Sequence, residues 1–274
     1  MSKRWEGQIV VITGAASGLG RLMAIESFVR GAHKVVALDI DSNGLDALKE
    51  EVEKRFDKPV NLLPFKVDLS STASIEQVTK ELAESVTRVD ILFNNAGVVV
   101  GKNFSDHKLE DVQLTLNVNV LGPMWLAHQL LPLLKNSQEA HIINIASAAA
   151  LVSNPKMSVY CASKWALVGW SDSLRLELAE GPKPARVTTV LPYYINTGMF
   201  DGVKSPIIPI LNPEDVVRRI FKAVEQKRIF LYLPKILYVV PLLYAILPTR
   251  AFDFIVGKIF GIYKSMNEFK GRTN

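Results

Sequence analysis

Short apolar runs, many of them β-branched, alternate along the chain with longer segments of helical periodicity. The apolar runs predict seven strands, at residues 9–12, 35–38, 60–67, 90–93, 141–146, 187–191 and 229–233. Helical spacing occupies the intervals between them, most clearly over residues 42–57, 72–86, 106–135 and 214–226. Strands that are apolar throughout and separated by helices are typical of a parallel sheet covered on both faces. The pattern therefore predicts an α/β fold with a doubly wound parallel sheet.

The longest helical segment contains residues that a regular helix disfavours. Pro123 and Pro132 interrupt residues 106–135, and we expect them to bend or split the helix. Asn117 and Asn119 lie in its first half among apolar neighbours, where an asparagine is mildly unfavourable. Asn119 therefore has either a functional role or a local backbone partner.

A glycine-rich turn directly follows the first strand. It reads Thr13-Gly14-Ala15-Ala16-Ser17-Gly18-Leu19-Gly20, and a helical pattern comes after it. Glycines between a strand and a helix let the backbone approach a pyrophosphate, whose charge then sits at the helix N-terminus. The spacing G-x-x-x-G-x-G differs from the commoner G-x-G-x-x-G. The turn predicts a dinucleotide site, with an ordinary strand-to-helix turn as the alternative.

Polar residues at the ends of later strands suit the same ligand. Asp39 follows the second strand, about 20 positions beyond the turn, where a carboxylate can bind the adenosine ribose hydroxyls. Its charge would repel a 2′-phosphate, and no Arg or Lys stands at 15–17 or directly after Asp39, so NAD is predicted over NADP. Alternatively, Asp39 only caps the next helix. Asp68 and Leu69 are expected at the adenine rim, and Asn94-Asn95-Ala96-Gly97 at the ligand crevice.

A tyrosine and a lysine four residues apart stand on one face of a later helix, in Tyr160-Cys161-Ala162-Ser163-Lys164. A free tyrosine has a pKa of about 10 and is a poor acid or base at neutral pH. A neighbouring ammonium group favours the phenolate and brings the phenol toward acid–base chemistry. By itself the spacing also fits an ordinary amphipathic helix with a lysine that extends to the surface.

Together these residues resemble the short-chain dehydrogenase/reductase family. The matching residues, in order over residues 7–200, are Thr13-Gly14-x-x-x-Gly18-x-Gly20, Asn94-Asn95-Ala96-Gly97, Asn119, Ser147 and Tyr160-x-x-x-Lys164. The resemblance implies a Rossmann-type fold, a nicotinamide cofactor and redox chemistry between an alcohol and a carbonyl.

A finer resemblance is to the epidermal-type, membrane-associated retinol dehydrogenases and the related 17β-hydroxysteroid dehydrogenases of lipid droplets. It rests on residues 160–164, 196–202, 229–235 and 267–269. The chain departs from these relatives at the N-terminus, where Met1 to Gly7 contain no apolar run. From this departure we expect the chain to have no signal peptide and no N-terminal anchor. A second departure is Ala146, where many members carry another serine.

The resemblance also implies roles for the matched residues. Tyr160 would be the base in alcohol oxidation and the acid in carbonyl reduction, while Lys164 would lower its pKa and hold the nicotinamide ribose. Ser147 would donate a hydrogen bond to the substrate oxygen, and Asn119 would hold a water that joins Lys164 to solvent. The implied cofactor-binding set is Gly14, Ser17, Gly18, Leu19, Gly20, Asp39, Asp68, Leu69, Asn95, Ala96, Gly97, Tyr160, Lys164, Ile195 and Thr197. The implied substrate-binding set is Ser147, Tyr160, Tyr193, Met199 and Phe200.

Charge and hydrophobicity are concentrated in the C-terminal part of the chain. The formal net charge is +5, and residues 200–274 hold 12 Lys/Arg against 6 Asp/Glu. Residues 229–247 contain Lys235 as their one charge, so this basic region favours a membrane over nucleic acid. Prolines recur at 234, 241 and 248, which favours helices lying in the membrane interface over a spanning helix. The alternative is that the stretch covers the substrate pocket or a dimer seam.

Length and the remaining residue types add further limits. The 274 residues suit one catalytic domain at 1–233, followed by an apolar, basic C-terminal extension at 234–274. Cys161 is the only cysteine, so no intramolecular disulfide can form. The four histidines show no spacing typical of a metal site, and none is predicted.

The sequence thus predicts an NAD-dependent dehydrogenase acting on a lipophilic alcohol or carbonyl, with all-trans-retinol to retinal as the first hypothesis. The alternatives are a steroid or long-chain alcohol dehydrogenase, or a catalytically idle nucleotide-binding protein on a lipid surface. A homodimer is expected by analogy with the family. An intracellular, peripheral location on endoplasmic reticulum or lipid droplets is expected, with the cytoplasm as the alternative.

Overall fold

The computed structural model describes residues 5–57, 60–180 and 183–271. The strands are β1 (Ile9–Thr13), β2 (Lys34–Asp39), β3 (Leu62–Lys66), β4 (Ile91–Asn94), β5 (His141–Ile145), β6 (Arg186–Pro192) and β7 (Phe230–Leu233). The helices are α1 (Gly18–Val29), α2 (Ser42–Phe56), α3 (Thr72–Ser85), α4 (Leu109–Leu116), α5 (Gly122–Lys135), α6 (Ser158–Ala179), α7 (Pro213–Glu225), α8 (Val240–Ile246) and α9 (Thr249–Asp253).

The seven strands form one parallel sheet in the order β3-β2-β1-β4-β5-β6-β7. The doubly wound parallel sheet predicted from the apolar runs is therefore confirmed. The chain moves outward in one direction from β1 to β3 and in the other direction from β4 to β7. The order reverses between β1 and β4, and ligands of such sheets bind outside the carboxyl ends of the strands at this reversal.

Both faces of the sheet are buried by helices. Side chains alternate along each strand, so Val10 and Ile12 face α1, α2 and α7, while Ile9 and Val11 face α3 and α5. On the first face an aromatic stack joins the sheet to a helix. Phe221 of α7 lies 4.5 Å from the Trp5 ring and 5.6 Å from the Phe93 ring, measured between centroids.

The predicted helix over residues 106–135 is divided by a wide turn. A 3-10 turn at Phe104–Asp106 precedes α4, and a π-helical segment at Asn117–Leu121 separates α4 from α5. In this segment the Gly122 N–H reaches the carbonyl of Asn117, five residues back. Pro123 follows directly and has no N–H to donate, which explains why the break occurs here. Pro132 lies inside α5 without ending it.

Residues 234–271 do not form one long helix. A 3-10 turn at Lys235–Val239 leads into α8 and α9, followed by a π-helical segment at Phe254–Ile259. Buried residues of this segment, including Leu237, Phe252 and Met266, pack in one cluster with Tyr160. Within the described residues, no helix is both long enough and apolar enough to cross a membrane.

Parts of three predictions fall on residues outside the described ranges. Residues 1–4 belong to the N-terminal stretch without an apolar run and to the predicted catalytic domain, and residues 272–274 belong to the predicted extension. The division into two units at residue 233 stays a prediction.

The aromatic stack provides a test of the packing on the first face. Phe221→Ala removes a fully buried ring between Trp5 and Phe93, so we expect a loss of about 3–5 kcal/mol in the free energy of unfolding. Urea unfolding followed by tryptophan fluorescence would measure it. Phe104→Ala is the matched control, because Phe104 is 69% exposed and its loss should change stability by at most about 0.5 kcal/mol. Equal effects of the two substitutions would contradict the described packing.

Candidate active site

The glycine turn lies at the carboxyl end of β1, where the strand order reverses. Gly14 has φ +67°, a backbone conformation that residues other than glycine rarely adopt. A Cβ atom on Gly20 would lie 1.9 Å from the carbonyl oxygen of Gly14. The first turn of α1 can therefore pack this closely against the strand end only with glycine at position 20. Ser17, Gly18 and Leu19 lie between them at the start of α1.

Hydrogen bonds hold the ends of β1 and β4 together. The hydroxyl oxygen of Thr13 accepts from the backbone N–H groups of Asn95 and Ala96, at 2.9 and 3.0 Å. The Asn95 side chain donates back to the Thr13 carbonyl at 2.9 Å. These contacts place Asn95 and Ala96 beside the glycine turn, and Gly97 follows them in the chain.

The Asp39 carboxylate lies beside the same turn. It accepts hydrogen bonds from the N–H groups of Ala16 at 2.9 Å and Asp41 at 3.0 Å. Asp41, not Asp39, caps α2, because its carboxylate accepts from Gly44. The alternative that Asp39 only caps the next helix is therefore wrong. A carboxylate oxygen has more than one acceptor site, so Asp39 can also accept from ribose hydroxyls.

Asp68 and Leu69 directly follow β3, the edge strand that pairs with β2. The Asp68 carboxylate accepts from the backbone N–H and the hydroxyl of Ser70, at 2.8 and 2.7 Å. Leu69 is buried, and a Cβ atom on Gly122 would lie 2.7 Å from its carbonyl oxygen. Asp68 therefore orders the loop next to the start of α5.

Asn119 is buried in the π-helical segment and reaches across to other elements. Its amide oxygen accepts from the Val98 N–H at 2.8 Å, and its amide nitrogen donates to the Val98 carbonyl at 2.9 Å and the Ser163 hydroxyl at 3.0 Å. Val98 is 21 residues away in sequence, so the backbone groups that Asn119 satisfies belong to the loop after β4 and not to its own helix. The wide turn aims Asn119 inward, and π-helical turns of this kind are frequent at functional sites.

Tyr160 and Lys164 lie one turn apart on α6 and are both buried. The ammonium group of Lys164 donates to the carbonyl of Ile145 at 3.0 Å and lies 5.6 Å from the centre of the Tyr160 ring. Ser147, just after β5, is hydrogen-bonded to the Tyr160 phenol. Gly97 completes the group, since a Cβ atom there would lie 3.3 Å from the Asn119 amide oxygen and 3.6 Å from the Lys164 ammonium. Residues from β4, β5, α6 and the π-helical segment thus meet at one point.

An apolar cavity of about 130 Å³ adjoins this group. Ser147, Tyr193 and Phe200 line it, and the Phe200 ring meets the Tyr160 ring edge to face at 6.0 Å between centroids. Met199 is half-buried beside Phe200 but is not among the lining residues. Ile195 is buried and bridges to Leu211, while Thr197 is half-buried.

Comparison with known proteins agrees with this geometry. The model of the family described as short chain dehydrogenase matches residues 8–207. The chain belongs to the short-chain dehydrogenase family. Epidermal retinol dehydrogenase 2 of Mus musculus is 34% identical over 274 residues, covering 98% of this chain and 87% of that protein. Estradiol 17-beta-dehydrogenase 11 of Mus musculus is 33% identical over 254 residues, covering 92% and 84%.

Solved structures of similar fold contain either dinucleotide. A short chain dehydrogenase/reductase from Burkholderia phymatum in complex with NAD has a TM-score of 0.78 at 25% identity, covering 92% of this chain and 95% of that one. A short chain dehydrogenase from Burkholderia cenocepacia in complex with NADP has a TM-score of 0.77 at 25% identity, covering 92% and 98%. The family assignment makes this chain an oxidoreductase of Rossmann-type fold.

Burial is the main cause of the pKa shifts of Tyr160 and Lys164. It raises the pKa of Tyr160 above its ordinary value, and the hydrogen bond from Ser147 acts in the opposite direction. Burial also lowers the pKa of Lys164 to about 8. The structure therefore does not show the lowering of the Tyr160 pKa that we expected from Lys164. Enclosing both groups removes the water that would stabilise either charge.

Some residues around this dehydrogenase site had no role in the sequence-based interpretation. Thr13 belongs to the glycine motif, but its contact with β4 spans 82 residues of chain. A polar cluster also faces the cavity, where the Asn154 amide nitrogen donates to the Tyr194 hydroxyl at 3.0 Å and the Ser265 hydroxyl at 2.8 Å. Its members lie up to 111 residues apart, and no local pattern could have joined them.

The buried lysine predicts a stability that depends on pH in a known direction. The pKa of Lys164 is about 8 in the fold against 10.5 in its ordinary state, so burying the charge costs stability below pH 8. The cost disappears as the pH rises toward 10.5. Lys164→Met should therefore raise the free energy of unfolding at about pH 7, by up to about 3 kcal/mol, and by much less at about pH 9.5.

Urea unfolding of the wild type and this variant at both pH values would measure the difference. Lys80→Met is the control. Lys80 is exposed on α3, so its replacement should change the free energy of unfolding by the same small amount at both pH values. A Lys164→Met variant that is less stable than the wild type at neutral pH would contradict the cost assigned to the buried charge.

Proposed function

We propose that this short-chain dehydrogenase uses NAD to oxidise a lipophilic alcohol, with all-trans-retinol to retinal as its first candidate reaction. The observation that carries the proposal is the Tyr160 phenol, which is hydrogen-bonded to Ser147 and adjoins Lys164, while Ser147 and Phe200 beside it line an apolar cavity. A single acid–base group at the edge of an apolar pocket suits a long apolar molecule that has one reacting hydroxyl.

The four buried polar residues would divide the chemistry between them. Tyr160 takes the alcohol proton in oxidation and returns it in reduction, and Ser147 donates a hydrogen bond to the substrate oxygen. Lys164 holds the nicotinamide ribose, and its charge would act against burial, which raises the pKa of the Tyr160 phenol. Asn119 holds a water beside Lys164, using the remaining acceptor site of its amide oxygen. When bound, the nicotinamide supplies the hydride chemistry.

The residues at the reversal point fit a dinucleotide. Gly14 and Gly20 leave the backbone bare at the start of α1, where a pyrophosphate would be stabilised. Ser17, Gly18, Leu19, Asn95, Ala96, Gly97, Ile195 and Thr197 would complete the binding surface, with Asp68 and Leu69 at the adenine.

The preference for NAD is supported by charges around the ribose position. The Asp39 carboxylate disfavours a 2′-phosphate there. Two cations lie near Asp39. Lys66 stands opposite it on β3 and is exposed, whereas the guanidinium group of Arg21 pairs with Glu51 and donates to the carbonyls of Ala16, Gly44 and Ala47. A guanidinium group engaged in this way has little capacity left to neutralise a phosphate.

The identity of the alcohol has two further candidates. Similarity to an estradiol 17-beta-dehydrogenase favours a steroid, and the apolar lining also fits a long-chain alcohol. Tyr193 and Phe200 would contact any of these, with Met199 beside them. A catalytically idle nucleotide-binding protein is the alternative from another class. It is disfavoured because burying Lys164 and Tyr160 without a function costs stability.

We further propose that the enzyme works inside the cell at a lipid surface, as on endoplasmic reticulum or lipid droplets, and forms a homodimer. The lipid surface is supported by the exposed apolar residues after β7. The dimer is supported by a groove of about 790 Å³ along α5 and α6, lined by Trp125, Leu131 and Trp170 among others.

Replacing the phenol tests the catalytic assignment. Tyr160→Phe keeps the ring but removes the acid–base group, so we expect the turnover number to fall by about 10²–10⁴-fold while NADH binding stays nearly unchanged. Steady-state oxidation of retinol and a fluorescence titration with NADH would measure the two effects. Tyr194→Phe is the control, because it removes a different buried phenol, one that lines the cavity, and should keep turnover within about tenfold. Substantial activity in Tyr160→Phe would rule out its role as the base.

Cofactor kinetics test the role of Asp39. We expect a higher kcat/KM with NAD than with NADP, and Asp39→Ala should narrow the ratio by removing the charge that repels the 2′-phosphate. Asp41→Ala is the control, since it removes the cap of α2 two residues away and should cost about 1 kcal/mol of stability without changing the ratio. A wild-type preference for NADP would overturn the assignment.

A further inference from the structure

The exposed apolar side chains are concentrated in one short stretch of chain. Of the 18 large apolar side chains exposed in the described residues, eight lie between residues 236 and 259. Leu242 is 60% exposed, Tyr244 56% and Ile246 64%. Single exposed apolar residues are ordinary, but a concentration of this kind indicates a contact with another molecule.

The same stretch presents a different face to the active-site cavity. Leu237, Val240 and Leu243 line the cavity, whereas Tyr238, Leu242 and Ile246 point outward. Residues three and four apart share one side of these short helical turns, which explains how a single segment can be apolar on both sides. The inner side is accounted for by the cavity. On the outer side Tyr238 packs against Tyr232 and donates to the carbonyl of Phe230, whereas Leu242 and Ile246 stay exposed.

Charges around the outer side identify the partner. Lys235, Arg250 and Lys258 are exposed, and none of the ion pairs among the described residues involves them. Asp253 is the only acid between residues 235 and 264, and its carboxylate accepts a hydrogen bond from Tyr263. An apolar surface bordered by cations suits a bilayer with anionic headgroups. A second copy would bring the same cations against each other across a twofold axis, which disfavours self-association.

The cavity reaches the outer side at two residues. Ile236 and Val239 both line the cavity and are exposed, at 51% and 42%. The cavity volume of about 130 Å³ is below the 300–1,000 Å³ of typical ligand pockets, so a large substrate requires its cover to move outward. A cover that lies in a lipid phase would expose its apolar residues to lipid instead of water as it moves.

We propose that residues 235–260 form a lipid-docking surface for a phospholipid bilayer with anionic headgroups. The lipophilic alcohol passes from that bilayer into the cavity beside Ile236 and Val239, without crossing water. The docking stands on the surface residues alone, whereas the passage rests on the proposed oxidation of a lipophilic alcohol.

Vesicle flotation tests the docking. The purified full chain should float with phosphatidylcholine/phosphatidylserine vesicles and bind pure phosphatidylcholine vesicles more weakly. The double variant Leu242→Asp/Ile246→Asp should lose flotation, because it places charges on the outer side at residues that do not line the cavity. Leu109→Asp is the matched control, since Leu109 is 66% exposed at the start of α4, away from this surface, and should float like the wild type.

The cations are tested by a second double variant. Arg250→Gln/Lys258→Gln should weaken binding to the anionic vesicles roughly 30-fold and leave binding to neutral vesicles unchanged. A wild type that does not float, or a Leu242→Asp/Ile246→Asp variant that floats equally well, would overturn the docking. If that variant instead changed from dimer to monomer in light scattering while the wild type did not float, the partner would be a second copy.

Activity assays separate the passage from the chemistry. With all-trans-retinol in anionic vesicles, Leu242→Asp/Ile246→Asp should lose at least about tenfold in rate relative to the wild type, while its oxidation of benzyl alcohol dissolved in water stays unchanged. Equal losses on both alcohols, or no loss on either, would overturn the passage. A wild type inactive on every alcohol would overturn the proposed function, and flotation would still decide the docking.

Discussion

The ammonium group of Lys164 is enclosed in the protein, where it donates a hydrogen bond to the carbonyl of Ile145. Burying a charge without a carboxylate partner is costly, and the lowered pKa of Lys164 expresses this cost. The surrounding fold must supply the stability that the group removes. The apolar core formed by the strands and the helices on both faces of the sheet provides this stability.

The position of that charge follows from the topology of the sheet. Lys164 reaches the end of β5, Asn119 reaches Val98 just beyond β4, and Thr13 joins the end of β1 to Asn95. All of these contacts lie at the carboxyl edge of the sheet near the point where the strand order reverses. The helix that carries Tyr160 and Lys164 therefore reaches the same edge of the sheet as the glycine turn, which makes this edge suitable for both a dinucleotide and an acid–base group.

The segment after β7 forms one wall of the cavity beside this arrangement. Its inner residues cover the cavity near Tyr160 and Phe200, and its outer residues form the apolar, basic surface that we propose docks on lipid. The sequence of this segment is compatible with both a membrane contact and a pocket cover. Because short turns expose two sides of the same segment, the structure supports the cover directly and leaves the outer side available for lipid.

Local patterns in the sequence were sufficient for the seven strands, the glycine turn and the Tyr160–Lys164 pair, because strand and helix periodicity depend on near neighbours in the chain. They also indicated the place of the break before Pro123. Only the tertiary structure decided that Asp41 caps α2, that Thr13 ties β1 to β4, and that burial raises the pKa of Tyr160. These properties depend on atoms brought together from distant parts of the chain and on the exclusion of water around them, which no local pattern records.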